Sequence, residues 1–547
     1  MPIDRLPVRR RESAHRPPSD VLRSRGTLTD PRRTGTGRSA PGIRPLFTRR
    51  RAGAPPAVPP TRLAFPQRTV RTGRRRRGPP HLSPGGPCCA AARPADSASW
   101  WPAGLRPIAG PAAARPACRP AVGYGDLVPD PAGLLALPPG FSYTVVAQAG
   151  ATLLESGQPT PSDADGTGCF RGPHGSVLVN NHEIGGDEPY PVPALPGLTY
   201  DPGARGGTTT IEVDRHGRRL REYVSVAGTH NNCAGGITPW GTWLTCEETE
   251  QRAGGRYLKD HGYVFEVDPH DRSANTDPVP LTFLGRYSHE AVAVDPYTHS
   301  IYLTEDASGP NGLYFRWTPP PGFRAGKGAL RALAQRPDGG TAGSLAAMRC
   351  LRGDTHVADL SEATTPGTRY RVEWVEVPDR DARTVSVRKQ FTDAEVTRSR
   401  KLEGAWWGDG GAYFVASYAR HGDGSANEHD GQVWFYDPRR QTVTLKTIFG
   451  VNTDPEADNG NYDGPDNITV SPYGGVILAE DGEGVSHLVG VTEQGKAYPL
   501  ARNELNDSEF TGPTFSADGK TLFANIQSPG YVFAITGPWG RPSNAHR

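Results

Sequence analysis

Four side chains able to hold a metal ion, Cys233, Glu290, Glu403 and Asp466, each stand six residues before a turn residue, namely Pro239, Pro296, Asp409 and Pro472. One thiolate with three carboxylates is a mixed soft and hard donor set, which suits a redox-type or Lewis-acidic transition metal. The carboxylates, the neighbouring Asn467 and backbone carbonyls would also suit calcium. A second acidic tier follows at Glu247, Glu248, Glu305, Asp306, Glu480 and Asp481, and Asn180, Asn181, His182 and Glu183 hold the matching place further upstream. Taken singly, each residue has a plain structural reading: a small buried thiol, a solvated strand end, or turn chemistry. Four in one register favour a site. His230 and His289 precede the first two ligand positions and are candidates to orient substrate, brace a ligand or bind metal.

The register comes from a phrase repeated six times: GTGCFRGPHGSVLVNN (166–181), CAGGITPWGTWLTCEE (233–248), EAVAVDPYTHSIYLTED (290–306), EGAWWGDGGAYFVAS (403–417), DNITVSPYGGVILAED (466–481) and TGPTFSADGKTLFAN (511–525). Each copy reads as a short apolar strand, a turn rich in Pro, Gly, Asp or Ser, and a second strand rich in Val, Leu, Phe and Tyr. Further strands are expected between the copies at 208–214, 262–268, 311–317, 370–377, 431–437 and 486–492, with 531–536 after the last. Helical periodicity is confined to Ala329–Ala334 and Asp393–Lys401. This all-β pattern predicts a six-bladed β-propeller with few short helices, in which strand 142–148 pairs with the final blade. The alternative, an open array of β-sandwiches, explains the hairpins but not the common register. In a propeller the first strand of each blade lines the channel, so the four ligands would ring its mouth. Trp240, Trp243, Trp406 and Trp407 read as blade packing.

Charge divides the chain. Residues 1–120 carry 25 Arg, no Lys and five acidic residues, whereas the rest carries 36 Lys and Arg against 53 Asp and Glu. Residues 1–122, rich in Arg, Pro and Gly, are expected to be a disordered extension, because they cannot bury enough apolar surface to offset chain entropy. A basic arm for nucleic acid is one reading of it. Sequence lying upstream of the true start is the preferred one, given the lack of Lys and of interleaved aromatics. Residues 123–547 then form one acidic domain. No segment has the ~20 apolar residues needed to span a bilayer. Arg49, Arg50 and Arg51 resemble part of a twin-arginine signal, but the AGAPPAVPP that follows is too proline-rich for an apolar core, so no intact export signal is visible. The seven cysteines show no pairing pattern; Cys246 reads as core, and Cys350 carries no signal.

The phrases THNNCAGG, CEET, SHEAVAVD, LTED, EGAWW, GPDN, LAEDG and SPGYVFAITGP, in order from about Val128 to Pro538, resemble the PhoX-type bacterial alkaline phosphatases. The resemblance implies a six-bladed propeller bearing an exposed cluster of iron and calcium, and hydrolysis of phosphate monoesters outside the cytoplasm. Cys233, Glu290 and Glu403 are then similar to iron ligands. Glu247, Glu305, Asp306, Asp466, Asn467, Glu480 and Asp481 are similar to calcium or shared ligands. The family pattern has an Arg two residues before the third iron ligand; here Lys401 stands there, with Arg400 beside it. A Lys meets phosphate as a point charge without the bidentate fork. Lys401 and Arg400 are the candidates to stabilise the transferring phosphoryl group. The expected partners are small-molecule phosphate monoesters, met by a monomer with neither nucleic acid nor membrane. Two other readings stay open: a calcium-dependent lactonase-like propeller, and a noncatalytic calcium-stabilised binding propeller.

Overall fold

Short alternating or wholly apolar runs separated by Gly-, Pro- and Asp-containing turns can only close their backbone hydrogen bonds against one another. In the computed structural model, which describes residues 122–336 and 342–542, they do so as five antiparallel sheets. All described residues lie in the unit 109–547. The basic segment expected to be a disordered extension lies outside them, except for Val122.

Four sheets are separate. Ala164–Arg171, Gly175–His182, Gly206–Asp214 and Arg219–Thr229 form one, and Asn232–Ile237, Trp243–Glu247 and Val264–Val267 form the next. Pro465–Val470 leads a third through Val476–Glu480, His487–Val491 and Ala497–Asn503 to Leu135–Ala136. The fourth runs Phe510–Phe515, Thr521–Ile526, Tyr531–Thr536 and then Ser142–Gln148, so the early strand does pair with the last hairpin, Ser142 opposite Thr536 and Gln148 opposite Tyr531.

The fifth sheet corrects the expectation of six separate blades. It has eleven strands, because Arg369–Glu376 pairs with Ser344–Arg352 on one side and with Thr442–Phe449 on the other. The strand pairs led by His289–Val294 and by Leu402–Gly408 therefore share one continuous ladder. The architecture is all-β and propeller-like. The first strands of the six repeats pack side by side: Ala164–Arg171 on Asn232–Ile237, that on His289–Val294, then Leu402–Gly408, Pro465–Val470 and Phe510–Phe515, which returns to Ala164–Arg171.

The core lies between neighbouring sheets. Trp243, Trp317 and Trp434 are fully buried, and truncating one to Ala should cost about 3–5 kcal/mol. Ala329–Ala334 is helical, as its periodicity predicts. Asp393–Lys401 is not. Its Thr397 and Arg398 N–H groups bond to the carbonyls of Met348 and Ala358, and Arg398–Ser399 pairs with Gly312–Thr318, so cross-strand partners win over the helix.

Candidate metal centre

The six inner strands share one irregularity. Their pairing register shifts between Ala164 and Thr167, Asn232 and Gly235, His289 and Val292, Leu402 and Ala405, Pro465 and Ile468, and Thr511 and Thr514. An extra residue in a ladder bends the strand and re-aims a side chain. The residue that opens each shift's unpaired stretch is Asp165, Cys233, Glu290, Glu403, Asp466 or Gly512. Next comes Gly166, Ala234, Ala291, Gly404, Asn467 or Pro513, and these line a small axial cavity. The small residues allow the backbones to converge: a Cβ on Gly166 would come within 2.5 Å of the Ala234 Cα, and one on Gly404 within 2.7 Å of the Asn467 Cα. Two residues before the ligand position the chain is left-handed at Asp163, Asn231, Lys401 and Gly464, with φ of 47°, 53°, 41° and 50°. Three of these are not glycine, a local cost that recurs at the same register.

The convergence is direct. Ligand atoms of Cys233, Glu248 and Glu290 lie within 4.8 Å of one another, as do those of Glu290, Glu403 and Asp466, and those of Asp466, Asp481 and Glu509. Glu290 and Asp466 are shared, so the three groups form one continuous cluster. Of the residues expected from sequence, Cys233, Glu248, Glu290, Glu403, Asp466 and Asp481 are brought together. Asp306 adjoins them, 3.9 Å from Lys401 Nζ. Asn467 is a brace: its Nδ2 donates to Asp466 Oδ1 at 2.9 Å, and its Oδ1 accepts from the Gly512 N–H at 2.6 Å.

Glu247, Glu305 and Glu480 lie outside all three groups. Glu247 accepts the N–H groups of His230, Gly262 and Tyr263 at 2.8–3.0 Å and sits 2.7 Å from His261 Nδ1. Glu305 accepts from the Leu313 N–H and pairs with Arg388. Glu480 accepts from the N–H groups of Asp463 and His487. Adjacent residues of a strand face opposite ways, so each acidic doublet splits. Glu247, Glu305 and Glu480 fasten neighbouring loops, while Glu248, Asp306 and Asp481 turn to the cluster.

Asp165 and Glu509 were not expected. The first repeat places Thr167, not Asp165, six residues before Pro173, so counting from the turn misses it; an acidic residue followed by Gly, as in Glu403-Gly404, was the available signal. Glu509 lies in the segment entering the sixth inner strand, whose own register position is Gly512, and carried no signal. His289 is buried, stacks on Tyr287 at 3.7 Å and sits 3.1 Å from the Gly285 carbonyl through Nε2. His230 stands at the rim beside Tyr257, its Nδ1 without a hydrogen-bond partner among the described residues. Trp243 and Trp240 pack and donate to Asn181 and Glu266.

The donor set fits a cation. Among the described residues Glu290 Oε1 and Asp165 Oδ1 are buried with no hydrogen-bond partner, an arrangement costly for a carboxylate unless a positive charge meets it. Burial first, then neighbouring carboxylates, push the carboxyl groups of Asp165, Glu248, Glu290 and Glu509 well above the usual range. Glu403 is pushed up as well, by burial, with Lys401 opposing. Asp466 and Glu183 rise to about 7, by burial and by Asp481. Burial and Glu290 raise the Cys233 thiol, which donates to the His289 carbonyl at 3.3 Å. Lys401 brings one positive charge: its Nζ is 3.1 Å from Glu403 and 3.4 Å from Asp481. Arg400 points elsewhere, Nε 3.0 Å from Asp423 and guanidinium 5.2 Å from the Tyr418 ring.

A family model described as alkaline phosphatase PhoX matches residues 122–530. No curated protein matches. Among solved structures the chain is similar to a gluconolactonase from Xanthomonas campestris (12% identity, 76% of this chain and 98% of that one, TM-score 0.31). It is also similar to the PQQ domain of a pyranose dehydrogenase from Coprinopsis cinerea (11%, 75% and 98%, TM-score 0.34) and to the Cps50 (Swd1) β-propeller domain from Myceliophteria thermophila (11%, 72% and 99%, TM-score 0.34). Likeness at this level says nothing of what the chain does.

Proposed function

The chain belongs to the PhoX alkaline phosphatase family, and from that premise we propose that it is an iron- and calcium-dependent phosphoric monoester hydrolase working outside the cytoplasm. The observation that carries the metal reading is the continuous cluster in which Glu290 and Asp466 each serve two groups. Cys233, Glu248, Glu290 and Glu403 would hold iron, the thiolate being the soft donor. Asp466, Asp481, Glu509 and Asp306 offer oxygen only and suit calcium. The packing of the six inner strands in a ring supports a six-unit propeller as the frame.

Bound metal ions would neutralise phosphoryl oxygens and lower the pKa of an attacking water. The protein's part is positioning and charge. Cys233 anchors metal and is not a nucleophile. Lys401, held in its left-handed conformation two residues before Glu403, places a cation where charge develops on the phosphoryl group. Its partners Glu403 and Asp481 are themselves proposed ligands, so metal binding would release the ammonium toward substrate. Asn467 and the small residues below the cluster keep the carboxylates at fixed height.

Elemental analysis of the purified protein, with p-nitrophenyl phosphate assayed with and without calcium, tests this reading. Bound iron, bound calcium and calcium-dependent hydrolysis are expected. A protein without iron that hydrolyses no phosphoester would overturn it. Calcium alone, with full indifference to Cys233→Ser, would favour the lactonase-like alternative.

A further inference from the structure

Beside the carboxylates lies a patch of positive charge that the metal centre does not fully use. Three cations surround the Tyr418 ring: the Arg420 guanidinium at 4.8 Å from its centroid, Arg400 at 5.2 Å and Lys401 Nζ at 5.4 Å. Lys401 joins this patch to the cluster through Glu403. Two inward carboxylates fix the arginines. Asp423 Oδ2 lies 3.0 Å from Arg400 Nε and accepts the Arg420 backbone N–H at 2.7 Å. Asp430 pairs with Arg420 Nη1, which also donates to the His429 carbonyl. The Asp423 and Asp430 side chains are 9% and 0% exposed, whereas those of Arg400 and Arg420 are 23% and 40% exposed. The anchors are thus inside and the guanidinium groups face out. Among the described residues no nitrogen of the Arg400 guanidinium makes a hydrogen bond, its buried Nε meeting Asp423 as an ion pair, and Nε and Nη2 of Arg420 make none either.

A guanidinium keeps its charge at any working pH and offers a planar fork matched to carboxylate or phosphate oxygens. Two such forks, pre-positioned by buried carboxylates and separated from the cluster by Lys401, need little ordering to take an anion. We propose that Arg400, Tyr418 and Arg420 form a subsite for a second anionic group, so that the preferred substrates are phosphate monoesters carrying a further phosphate or carboxylate. The inference rests on the phosphatase reading. The scissile phosphoryl group would sit at the cluster and Lys401, with the rest of the ester passing Tyr418 toward Arg420. Water adds its oxygen to phosphorus, the ester P–O bond breaks, and the alcohol takes the proton; the second anionic group is unchanged.

Glycerol 3-phosphate and 3-phosphoglycerate are a matched pair, differing by a hydroxymethyl group against a carboxylate. The metal-loaded protein should favour 3-phosphoglycerate by about tenfold in kcat/KM, mainly through KM, the size of one charge-assisted hydrogen bond. Arg420→Ala should bring that ratio to about one. Should Arg420→Ala fail to fold by circular dichroism, Arg420→Lys keeps a charge opposite Asp430 but loses the fork, and should leave a ratio between those two values. The affinity of pyrophosphate relative to phosphate, measured by calorimetry, should fall in parallel. Hydrolysis of both esters without preference, or a preference untouched by either variant, would sink the subsite alone. Hydrolysis of neither by the unaltered protein would sink the phosphatase reading and the subsite with it.

Discussion

The two ends of the inner strands make opposite use of one repeated phrase. At the turn end the ladders are regular, and Ile237, Pro239, Val292, Val294, Pro296, Trp406 and Trp407 line an apolar recess. At the other end every ladder slips its register, the backbone goes left-handed in four copies, and buried carboxylate oxygens lack hydrogen-bond partners among the described residues. Packing accounts for most of the first end, where the left-handed Asp409 belongs to its turn. It explains nothing at the second, where each irregularity carries a local cost and only convergence of the ligand atoms makes sense of them together. Departure from regularity, repeated at one register, marks the candidate site.

The sharpest way to break this contrast is Glu290→Gln, which removes a carboxylate shared by two groups. It should lower kcat/KM for p-nitrophenyl phosphate by about 10³-fold, roughly 4 kcal/mol of transition-state stabilisation, with loss of iron by elemental analysis. Retention of both would mean the cluster is not the working site. Cys233→Ser comes next. Iron affinity should drop by about 10–100-fold, a loss the size of a disturbed coordination sphere, and activity should return in part at high iron.

The doublet Glu247-Glu248 tests the contrast within one strand. Glu248→Gln should deplete metal with little change in melting temperature. Glu247→Gln should instead destabilise the fold by about 1–3 kcal/mol, because one of the oxygens accepting the buried N–H groups of His230, Gly262 and Tyr263 is lost, and should leave the metal content alone. Reversal of the two would refute the facing assigned here. A smaller effect concerns pH. In protein stripped by a chelator, the folded-state values near 7 for Asp466 and Glu183 exceed those of the unfolded chain. The unfolded chain then gives up its protons first. Stability should therefore fall as pH rises from about 4 to about 7, and added metal should flatten that slope. A chelated melting temperature that rises over this range would contradict it. Smallest of all, Trp407→Leu at the turn end should cost about 1 kcal/mol of stability and keep kcat within about twofold.

Strand positions and the ligand register were legible because both follow from periodicity: alternation gives the strand, and a fixed count from the turn gives the position. Cys233, Glu290, Glu403 and Asp466 were found this way. The choice within Glu247-Glu248, Glu305-Asp306 and Glu480-Asp481 was not legible, since facing depends on where the ladder slips, and a bulge leaves no mark in composition. Asp165 escaped because its repeat is spaced differently from its turn, and Glu509 because it reaches the cluster from a connection, where no period applies. The shared eleven-stranded sheet was also hidden. Arg369–Glu376 has a strand's sequence whichever neighbour it chooses, and it chose two.

The pairing of Ser142–Gln148 with Tyr531–Thr536 completes the fourth sheet with a strand from far upstream. The cluster's candidate donors run from Cys233 to Glu509, and the inner strands close on themselves where Phe510–Phe515 packs on Ala164–Arg171, while the final hairpin clasps a segment hundreds of residues earlier. That seam is a backbone ladder between two stretches far apart in sequence, so a change that loosens either strand should be felt at the other.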